Sequence, residues 1–263
     1  MMKKFDTSIG INSKISKLPK VFRGVGLLMR HLIRNKDRYF YKQDGMATIH
    51  NFSFLNEKRF QYSLASAIKA SGFDYKINLR LHQAIWCADH AVRRDPSAVF
   101  VELGTGRGYV MSAVLAALEF NNPLKLPSKV LLFDTFVPFK TDFKSKQDPL
   151  SDVCIYYADS YEQTSAQFAK YDQVQLIKGK LPETLDQINN SLISFLHIDL
   201  NAADIEFECL RKLWASIIPG GVILLDDYAY SGYEYTHTKL NNLASILKVS
   251  ILVTASGQGI ILK

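Results

Sequence analysis

Three aspartates stand at the ends of two apolar segments, where they could bind a metal ion. Asp199 follows the segment Ile193–Ile198, and Asp226 and Asp227 follow residues 222–225. The carboxyl ends of neighbouring parallel strands meet at one edge of a sheet, and open α/β sheets bind their ligands there. Three carboxylates at that edge would repel one another unless a cation neutralised them, and oxygen ligands of this kind suit Mg²⁺. The sequence therefore predicts a magnesium site that could lower the pKa of a bound hydroxyl; the alternative is that the aspartates cap loops or pair with basic side chains.

A glycine-rich turn follows another apolar segment, residues 98–103. It reads Gly104-Thr105-Gly106-Arg107-Gly108 and leads into a helical pattern that begins at Tyr109. Glycines allow a backbone to pass close to a ligand, and the N-terminus of the following helix presents free N–H groups to that ligand. A dinucleotide-binding turn would have a further glycine at position 109, where this chain has tyrosine.

The acidic-x-Gly-x-Gly-x-Gly order of this turn resembles motif I of methyltransferases that use S-adenosylmethionine. The next apolar segment supports the resemblance because it ends in Asp134, and a carboxylate can accept two hydrogen bonds from a ribose diol. The predicted cofactor contacts are Glu102, Gly104, Thr105, Gly106, Gly108 and Asp134. The alternatives are a tight structural turn and, for Asp134, a helix cap.

Short apolar segments alternate with helical patterns along the chain. The predicted strands are residues 98–103, 130–133, 174–177, 193–198 and 222–225, and residues 249–253 and 259–262 form a closing hairpin. The predicted helices are residues 57–70, 79–92, 109–120, 160–171, 181–188, 203–216 and 236–247. Near-continuous apolar strands between helices are typical of a parallel sheet covered on both faces. We therefore predict an α/β, Rossmann-like fold with a mostly parallel seven-stranded sheet and an antiparallel C-terminal hairpin strand.

Charge is distributed unevenly along the 263 residues. Residues 1–45 hold eleven Lys or Arg against three Asp, whereas the whole chain has a formal net charge of +7, so the remainder is close to neutral. We predict a basic, partly helical extension over residues 1–50 and one catalytic domain over residues 51–263, with a helical cap over residues 51–95. The chain after residue 45 has no excess of basic residues that could bind a phosphate backbone, so no nucleic-acid partner is expected.

Apolar residues within the extension recur at helical spacing over residues 20–34, and Arg23, Arg30 and Arg34 are mostly opposite them. The favoured interpretation is a helix that packs on the domain or on a second subunit of a homo-oligomer; the alternative is a helix that lies on an anionic membrane. The arginines interrupt the apolar segment too soon for a membrane span, and no secretory cleavage site follows it. With three cysteines that lack paired spacing, a cytoplasmic location is expected.

Longer stretches of the sequence resemble the macrocin-type sugar O-methyltransferases and their bacterial relatives. The stretches are residues 196–201, Leu213-Trp214 and residues 218–228, together with Arg59-Phe60, Arg80 with His82, residues 133–136, residues 231–234 and residues 256–259. The resemblance covers residues 55–263 and leaves the basic extension outside it. It implies transfer of a methyl group from S-adenosylmethionine to a hydroxyl of a sugar, a glycoside or a related small molecule, with Mg²⁺ held by Asp199, Asp226 and Asp227.

The family resemblance also draws attention to Asn201. Characterised relatives commonly carry an aspartate at this position as the proposed general base, and an amide cannot accept a proton near neutral pH. The candidate replacements are His197, His237, Tyr228 and Tyr230. We take His237 as the leading candidate base and Asn201 as a residue that orients the acceptor hydroxyl.

Three other functions are compatible with the sequence. The chain could methylate a phenolic natural product, since two oxygens on one metal serve a catechol equally well. It could be a binding or scaffold protein that keeps the cofactor pocket but has lost its base at Asn201. It could also methylate RNA if the basic extension binds the phosphates of the RNA backbone.

Overall fold

The computed structural model describes residues 41–97, 99–120, 126–137 and 161–263. The helix predicted over residues 20–34 and most of the basic extension lie outside these ranges. The chain divides into two compact units, and the described part of the smaller one is residues 41–42 and 47–52. Residues 43–46 belong with residues 53–263 in the larger unit. The domain boundary at residue 50 stays a prediction.

Strands and helices alternate along the described parts of the chain. The strands are β1 (Tyr41–Gln43), β2 (Met46–Thr48), β3 (Val99–Leu103), β4 (Lys129–Asp134), β5 (Val174–Lys178), β6 (Ile193–Ile198), β7 (Ile217–Leu225), β8 (Leu252–Val253) and β9 (Gly259–Leu262). The α-helices are α1 (Lys58–Ser71), α2 (Asn78–Arg94), α3 (Tyr109–Phe120), α4 (Tyr161–Phe168), α5 (Ala203–Leu213) and α6 (Glu234–Leu247). Single 3₁₀ turns cover Ser53–Asn56, Glu183–Ile188 and Trp214–Ser216.

Seven of the strands form one sheet in the order β5-β4-β3-β6-β7-β9-β8. Strands β3 to β7 are mutually parallel, β9 runs antiparallel to β7, and β8 pairs antiparallel with β9. The predicted Rossmann-like fold is confirmed. Because β3 and β6 are central neighbours, their carboxyl ends lie side by side, and β7 adds a third end next to them.

The two faces of the sheet carry separate cores, as the near-continuous apolar strands predict. One core contains Leu103 with helix residues such as Leu210, and the other contains Phe100 with helix residues such as Met111. Successive side chains of a strand point to opposite faces. Glu102 therefore shares a face with Phe100, and the register places it beside His197 of β6.

Several element bounds differ from the predictions. Strand β7 begins at Ile217, so Pro219-Gly220-Gly221 lies inside it, and Gly220 takes a φ of +80° where the ladder to β6 shifts register. The segment predicted as a helix over residues 181–188 is a 3₁₀ helix. The strand predicted from residue 249 is restricted to Leu252–Val253, because Val249 donates its N–H to Ala244 as part of the α6 terminus. Among the described helices, none is long and apolar enough to cross a membrane.

Candidate active site

The glycine-rich turn packs directly against the end of strand β6. The N–H of Asp199 donates to the carbonyl of Leu103 at 2.9 Å, which brings the two strand ends together. A Cβ on Gly104 would lie 1.8 Å from the carbonyl oxygen of Asp199, and the φ of Gly104 is +90°. Position 104 therefore admits only glycine, for reasons of both space and backbone conformation.

The third glycine of the turn is also required by packing. A Cβ on Gly108 would lie 2.5 Å from the ring of Phe168, which comes from helix α4. Thr164 of the same helix donates its hydroxyl to the carbonyl of Gly106 at 3.0 Å. Packing therefore requires glycine at positions 104 and 108 whether or not the turn binds a ligand, and the cofactor contacts of the turn stay a prediction.

Asp134 lies at the end of β4, where the sequence places it beside the turn. One carboxylate oxygen accepts the N–H of Gly106 at 2.7 Å, and the other accepts the N–H of Phe136 at 2.8 Å. The Thr135 hydroxyl also donates to Asp134 Oδ1 at 3.4 Å, so about one of the four lone-pair sites of the carboxylate is still available. The side chain is half-buried, which leaves it within reach of a ligand on the turn.

The three aspartates predicted to bind a metal come together. Oxygen atoms of Asp199, Asp226 and Asp227 all lie within 4.8 Å of one another. Asp226 is buried and the other two are partly exposed. The donor set is all carboxylate, which is the chemistry that Mg²⁺ requires.

A buried arginine that the sequence analysis assigned no role also contacts this acidic cluster. The Nη1 atom of Arg80 is 2.6 Å from Asp226 Oδ2 and 3.0 Å from Asp227 Oδ1, and its Nε atom is 2.7 Å from Asp44 Oδ2. Its guanidinium also lies 4.7 Å from the ring centroid of Tyr230. A basic residue in the first turn of a helix opposes the helix dipole. That signal in the sequence of α2 could have indicated that Arg80 needs acidic partners.

Glu102, a predicted cofactor contact, is paired with a histidine. Its side chain is almost fully buried, and it accepts a hydrogen bond at 3.0 Å from Nδ1 of His197, its cross-strand neighbour. The other ring nitrogen, Nε2, lies 3.7 Å from Asp226 Oδ1. Gln258 donates to the same oxygen at 2.6 Å. Glu102 therefore contacts the acidic cluster through His197, and the Thr105 side chain of the turn also lowers the pKa of its carboxyl against the effect of burial.

Burial and charge shift the pKa values in this network. Burial alone would lower the pKa of His197, but the interactions of its imidazole with the carboxylates of Asp226 and Glu102 outweigh burial and raise the pKa to about 10. Burial and the charges of Asp226 and Asp227 raise the pKa of Asp199 well above its ordinary value. The same effects raise the pKa of Asp227 to about 6, whereas Arg80 holds that of Asp226 low against its burial.

The carboxylates of this network outnumber its cations even when Arg80 and His197 are both charged. The pKa values of Asp199 and Asp227 are raised because the ionised form of each carboxyl group is unfavourable here. The unbalanced negative charge therefore lies at these two residues. A divalent cation would remove this penalty for ionisation. The residues present thus fit a bound Mg²⁺.

The pKa of His197 predicts how stability depends on pH. A folded-state pKa of about 10 lies above the ordinary value of 6.5, so the stabilisation is complete below pH 6.5 and is lost as the pH rises through 10. In the presence of a chelator, the stability advantage of the wild type over His197→Gln should shrink by up to about 1.4 kcal/mol per pH unit between pH 7 and 10. Urea unfolding at several pH values measures this difference. Parallel curves for the two proteins would mean that His197 is neutral in the folded protein.

The two candidate catalytic residues lie in different surroundings. The Nδ2 atom of Asn201 donates to Asp199 Oδ1 at 3.3 Å. The hydroxyl of the buried Tyr233 donates to Oδ1 of Asn201. The Asn201 backbone has a φ of +54°, which asparagine tolerates better than most residues. His237, on α6, packs its ring against Tyr228 at 4.7 Å and contacts Asn241. Asn201 therefore contacts the acidic cluster through Asp199. The contacts of His237 are with Asn241 on the same helix and with Tyr228 in the preceding loop.

The fold is similar to that of two solved methyltransferases. The O-methyltransferase NovP superimposes with a TM-score of 0.63 and 16% sequence identity, covering 81% of this chain and 99% of that one. The calicheamicin methyltransferase CalS11 superimposes with a TM-score of 0.51 and 16% identity, covering 81% of this chain and 94% of that one. At this identity the likeness shows a shared fold.

The sequence comparisons give the family. A search of curated protein sequences gave no match. Residues 33–248 match the family described as macrocin O-methyltransferase (TylF), which confirms the resemblance seen in the sequence. That match covers most of the chain, including the glycine-rich turn and the acidic cluster. The protein is therefore a member of the TylF family of S-adenosylmethionine-dependent O-methyltransferases.

Proposed function

We propose that this protein methylates a hydroxyl group of a sugar or glycoside with the assistance of Mg²⁺. The observation that carries the proposal is the contact between the glycine-rich turn and the acidic cluster. Gly104 lies against the backbone of Asp199, so a methyl donor on the turn and a hydroxyl held at the aspartates would be neighbours. Holding two reactants in this way is a large part of the catalysis of group transfer.

On this proposal, the backbone of Gly104, Thr105, Gly106 and Gly108 forms the floor of the cofactor site. Asp134 would accept a hydrogen bond from a ribose hydroxyl with the lone pair that it does not use for Gly106, Thr135 and Phe136. Glu102 would act indirectly, because its contact with His197 keeps that imidazole charged beside Asp226.

Asp199, Asp226 and Asp227 would hold the metal. A bound Mg²⁺ would supply a positive charge that orients acceptor oxygens and lowers the pKa of a hydroxyl. Arg80 keeps Asp226 ionised, so at least one ligand is ready at any pH near neutrality. Tyr233 fixes the Asn201 amide so that its NH₂ group faces Asp199. Asn201 would therefore orient groups at the cluster, and His237 is proposed as the base that accepts the proton.

The cofactor assignment is tested by calorimetric titration with S-adenosylmethionine. Asp134→Ala should weaken binding by roughly 10- to 100-fold, since it removes hydrogen bonds to a charged acceptor. Asp172→Ala removes an exposed aspartate and serves as the matched control. Equal affinity of Asp134→Ala and wild type would remove Asp134 from the site.

The acceptor class is tested with radiolabelled S-adenosylmethionine and a panel of nucleotide sugars, glycosides and catechols, with and without Mg²⁺. Label in a sugar or glycoside supports the proposal. Label in catechols alone would favour a phenolic natural product as the substrate. Cofactor binding without transfer to any compound, or to an extract of small molecules, would favour a binding protein that lacks a base.

A further inference from the structure

We propose that Gln258 is a positioning residue of the metal site and that it acts by holding the Asp226 carboxylate in one orientation. This inference rests on the proposed binding of Mg²⁺ and adds to it a residue outside the three aspartates. The groups that orient metal ligands commonly affect metal affinity strongly although they do not touch the metal. The side chain of Gln258 is 1% exposed, so it faces the interior of the protein.

The sheet places Gln258 opposite Asp226. Strands β7 and β9 are antiparallel, and the ladder between them ends with the pair Leu225 and Gly259. Asp226 and Gln258 are the next residues to face each other, and side chains of such an opposite pair are within reach of one another. The Nε2 atom of Gln258 donates to Asp226 Oδ1 at 2.6 Å. Backbone pairing, which does not depend on a metal, thus brings this amide to the carboxylate.

Donors hold both oxygens of the Asp226 carboxylate. Gln258 donates to Oδ1, and the Nη1 atom of Arg80 lies 2.6 Å from Oδ2. The carboxylate would lose both hydrogen bonds if it rotated about its last bond. Each oxygen can accept more than one hydrogen bond or metal contact, so the two donors fix the group without using all its lone pairs. Asp226 is therefore preorganised as a ligand.

A serine and a second glutamine support the amide of Gln258. The hydroxyl of Ser256 donates to Gln83 Oε1 at 2.6 Å, and its oxygen lies 3.4 Å from Oε1 of Gln258. Gln83 follows Arg80 by three residues on α2, so the two side chains share one face of that helix. Helix α2 thus contacts the Asp226 carboxylate directly through Arg80 and indirectly through the serine and Gln258.

The turn that carries Gln258 is itself held by hydrogen bonds. The N–H and the hydroxyl of Thr254 both donate to the carbonyl of Gln258, at 2.9 and 3.0 Å. The N–H of Ala229 donates to the carbonyl of Gly257 at 2.7 Å, which joins the turn to the loop after the aspartate pair. A residue that orients a ligand precisely needs rigid support of this kind.

The test measures Mg²⁺ affinity by calorimetry in Gln258→Met, which keeps an unbranched side chain of similar length and removes the donor. The substitution leaves every charge of the acidic cluster in place, so it tests the orientation of Asp226 without removing a carboxylate or a cation. We expect the Mg²⁺ dissociation constant to rise by about 10- to 100-fold. The affinity for S-adenosylhomocysteine, measured with a chelator present, should stay that of the wild type. Ser256→Ala acts through Gln258 and should weaken Mg²⁺ binding by a smaller factor.

Each variant has a matched control. Gln167→Met removes a half-buried glutamine whose Nε2 atom contacts Ser112 on α3. Ser63→Ala removes a buried serine that donates to the carbonyl of Arg59. Neither control residue contacts the acidic cluster, so both proteins should bind Mg²⁺ as the wild type does.

Unchanged Mg²⁺ affinity in Gln258→Met would overturn the inference. A parallel loss of affinity for Mg²⁺ and S-adenosylhomocysteine would also overturn it, because Gln258 would then support the fold in general. Tighter Mg²⁺ binding in the variant would mean that Gln258 competes with the metal for Asp226, which contradicts a positioning role. Failure of the wild type to bind Mg²⁺ would instead contradict the proposed metal site, and the inference would fall with it.

Discussion

Alanine at position 104 is expected to prevent stable folding. The added Cβ would lie 1.8 Å from the Asp199 carbonyl oxygen, and neither atom can move without breaking the 2.9 Å hydrogen bond between the strand ends. The φ of +90° adds a conformational penalty. We expect Gly104→Ala to lower the free energy of unfolding by about 4 kcal/mol or more, which is at the extreme of single substitutions. Chemical denaturation followed by circular dichroism measures the loss.

Gly72→Ala separates the clash from the backbone strain. Gly72 has a similar φ of +76°, but a Cβ there meets nothing within 4 Å. Only the left-handed conformation should then matter, at a cost of about 1–2 kcal/mol. Equal destabilisation by the two substitutions would show that the strand ends separate easily, and it would weaken the argument that the turn and the acidic cluster are held in fixed contact.

The double variant Asp199→Asn, Asp227→Asn is expected to lose metal binding and metal-dependent methyl transfer. Both substitutions keep the shape of the side chain and remove the two carboxylates that carry the unbalanced charge. Loss of groups that merely support metal ligands costs roughly 10- to 100-fold in affinity, so we expect a loss of about 100-fold or more for two ligands. Titration with Mg²⁺ and an assay of methyl transfer measure it.

Asp226 is unsuitable for this test because its removal would leave Arg80 and His197 as buried charges without their shared partner. The matched control is Asp204→Asn, since Asp204 is an exposed aspartate that pairs with Lys239. Retained Mg²⁺ affinity and activity in the double variant would mean that Mg²⁺ does not depend on Asp199 and Asp227. The proposed metal site would then be wrong.

The fold and the meeting of the three aspartates were predictable for one physical reason. Strands buried on both faces of a parallel sheet are almost wholly apolar, so a strand such as Ile193–Ile198 stands out in the sequence. The first acidic residue after it, Asp199, marks the carboxyl end. Since those ends share one edge of the sheet, Asp199, Asp226 and Asp227 could be placed together without knowledge of any long-range contact.

The partners of these aspartates could not be predicted in the same way. Arg80 pairs with Asp226 across 146 positions of the chain, and no periodic pattern encodes how a helix side chain reaches over a sheet edge. The contact of Glu102 with His197 could not be predicted, because the motif gives the position of Glu102 but not the face of the sheet on which it lies. Strand alternation places it next to His197 only when the β3–β6 register is known. Such pairings depend on tertiary packing.

The ion pair between Arg80 and Asp44 bears on how the protein can be divided. Asp44 precedes the boundary predicted at residue 50, yet its carboxylate lies 2.7 Å from the Nε atom of a guanidinium that contacts the acidic cluster. A shortened protein that starts at residue 51 would retain every predicted site residue and still lack this counter-ion. The turn between β1 and β2 thus contributes to the charge balance of the acidic cluster, and exchanging N-terminal segments between relatives would leave Arg80 without this partner unless an acid is kept at this position.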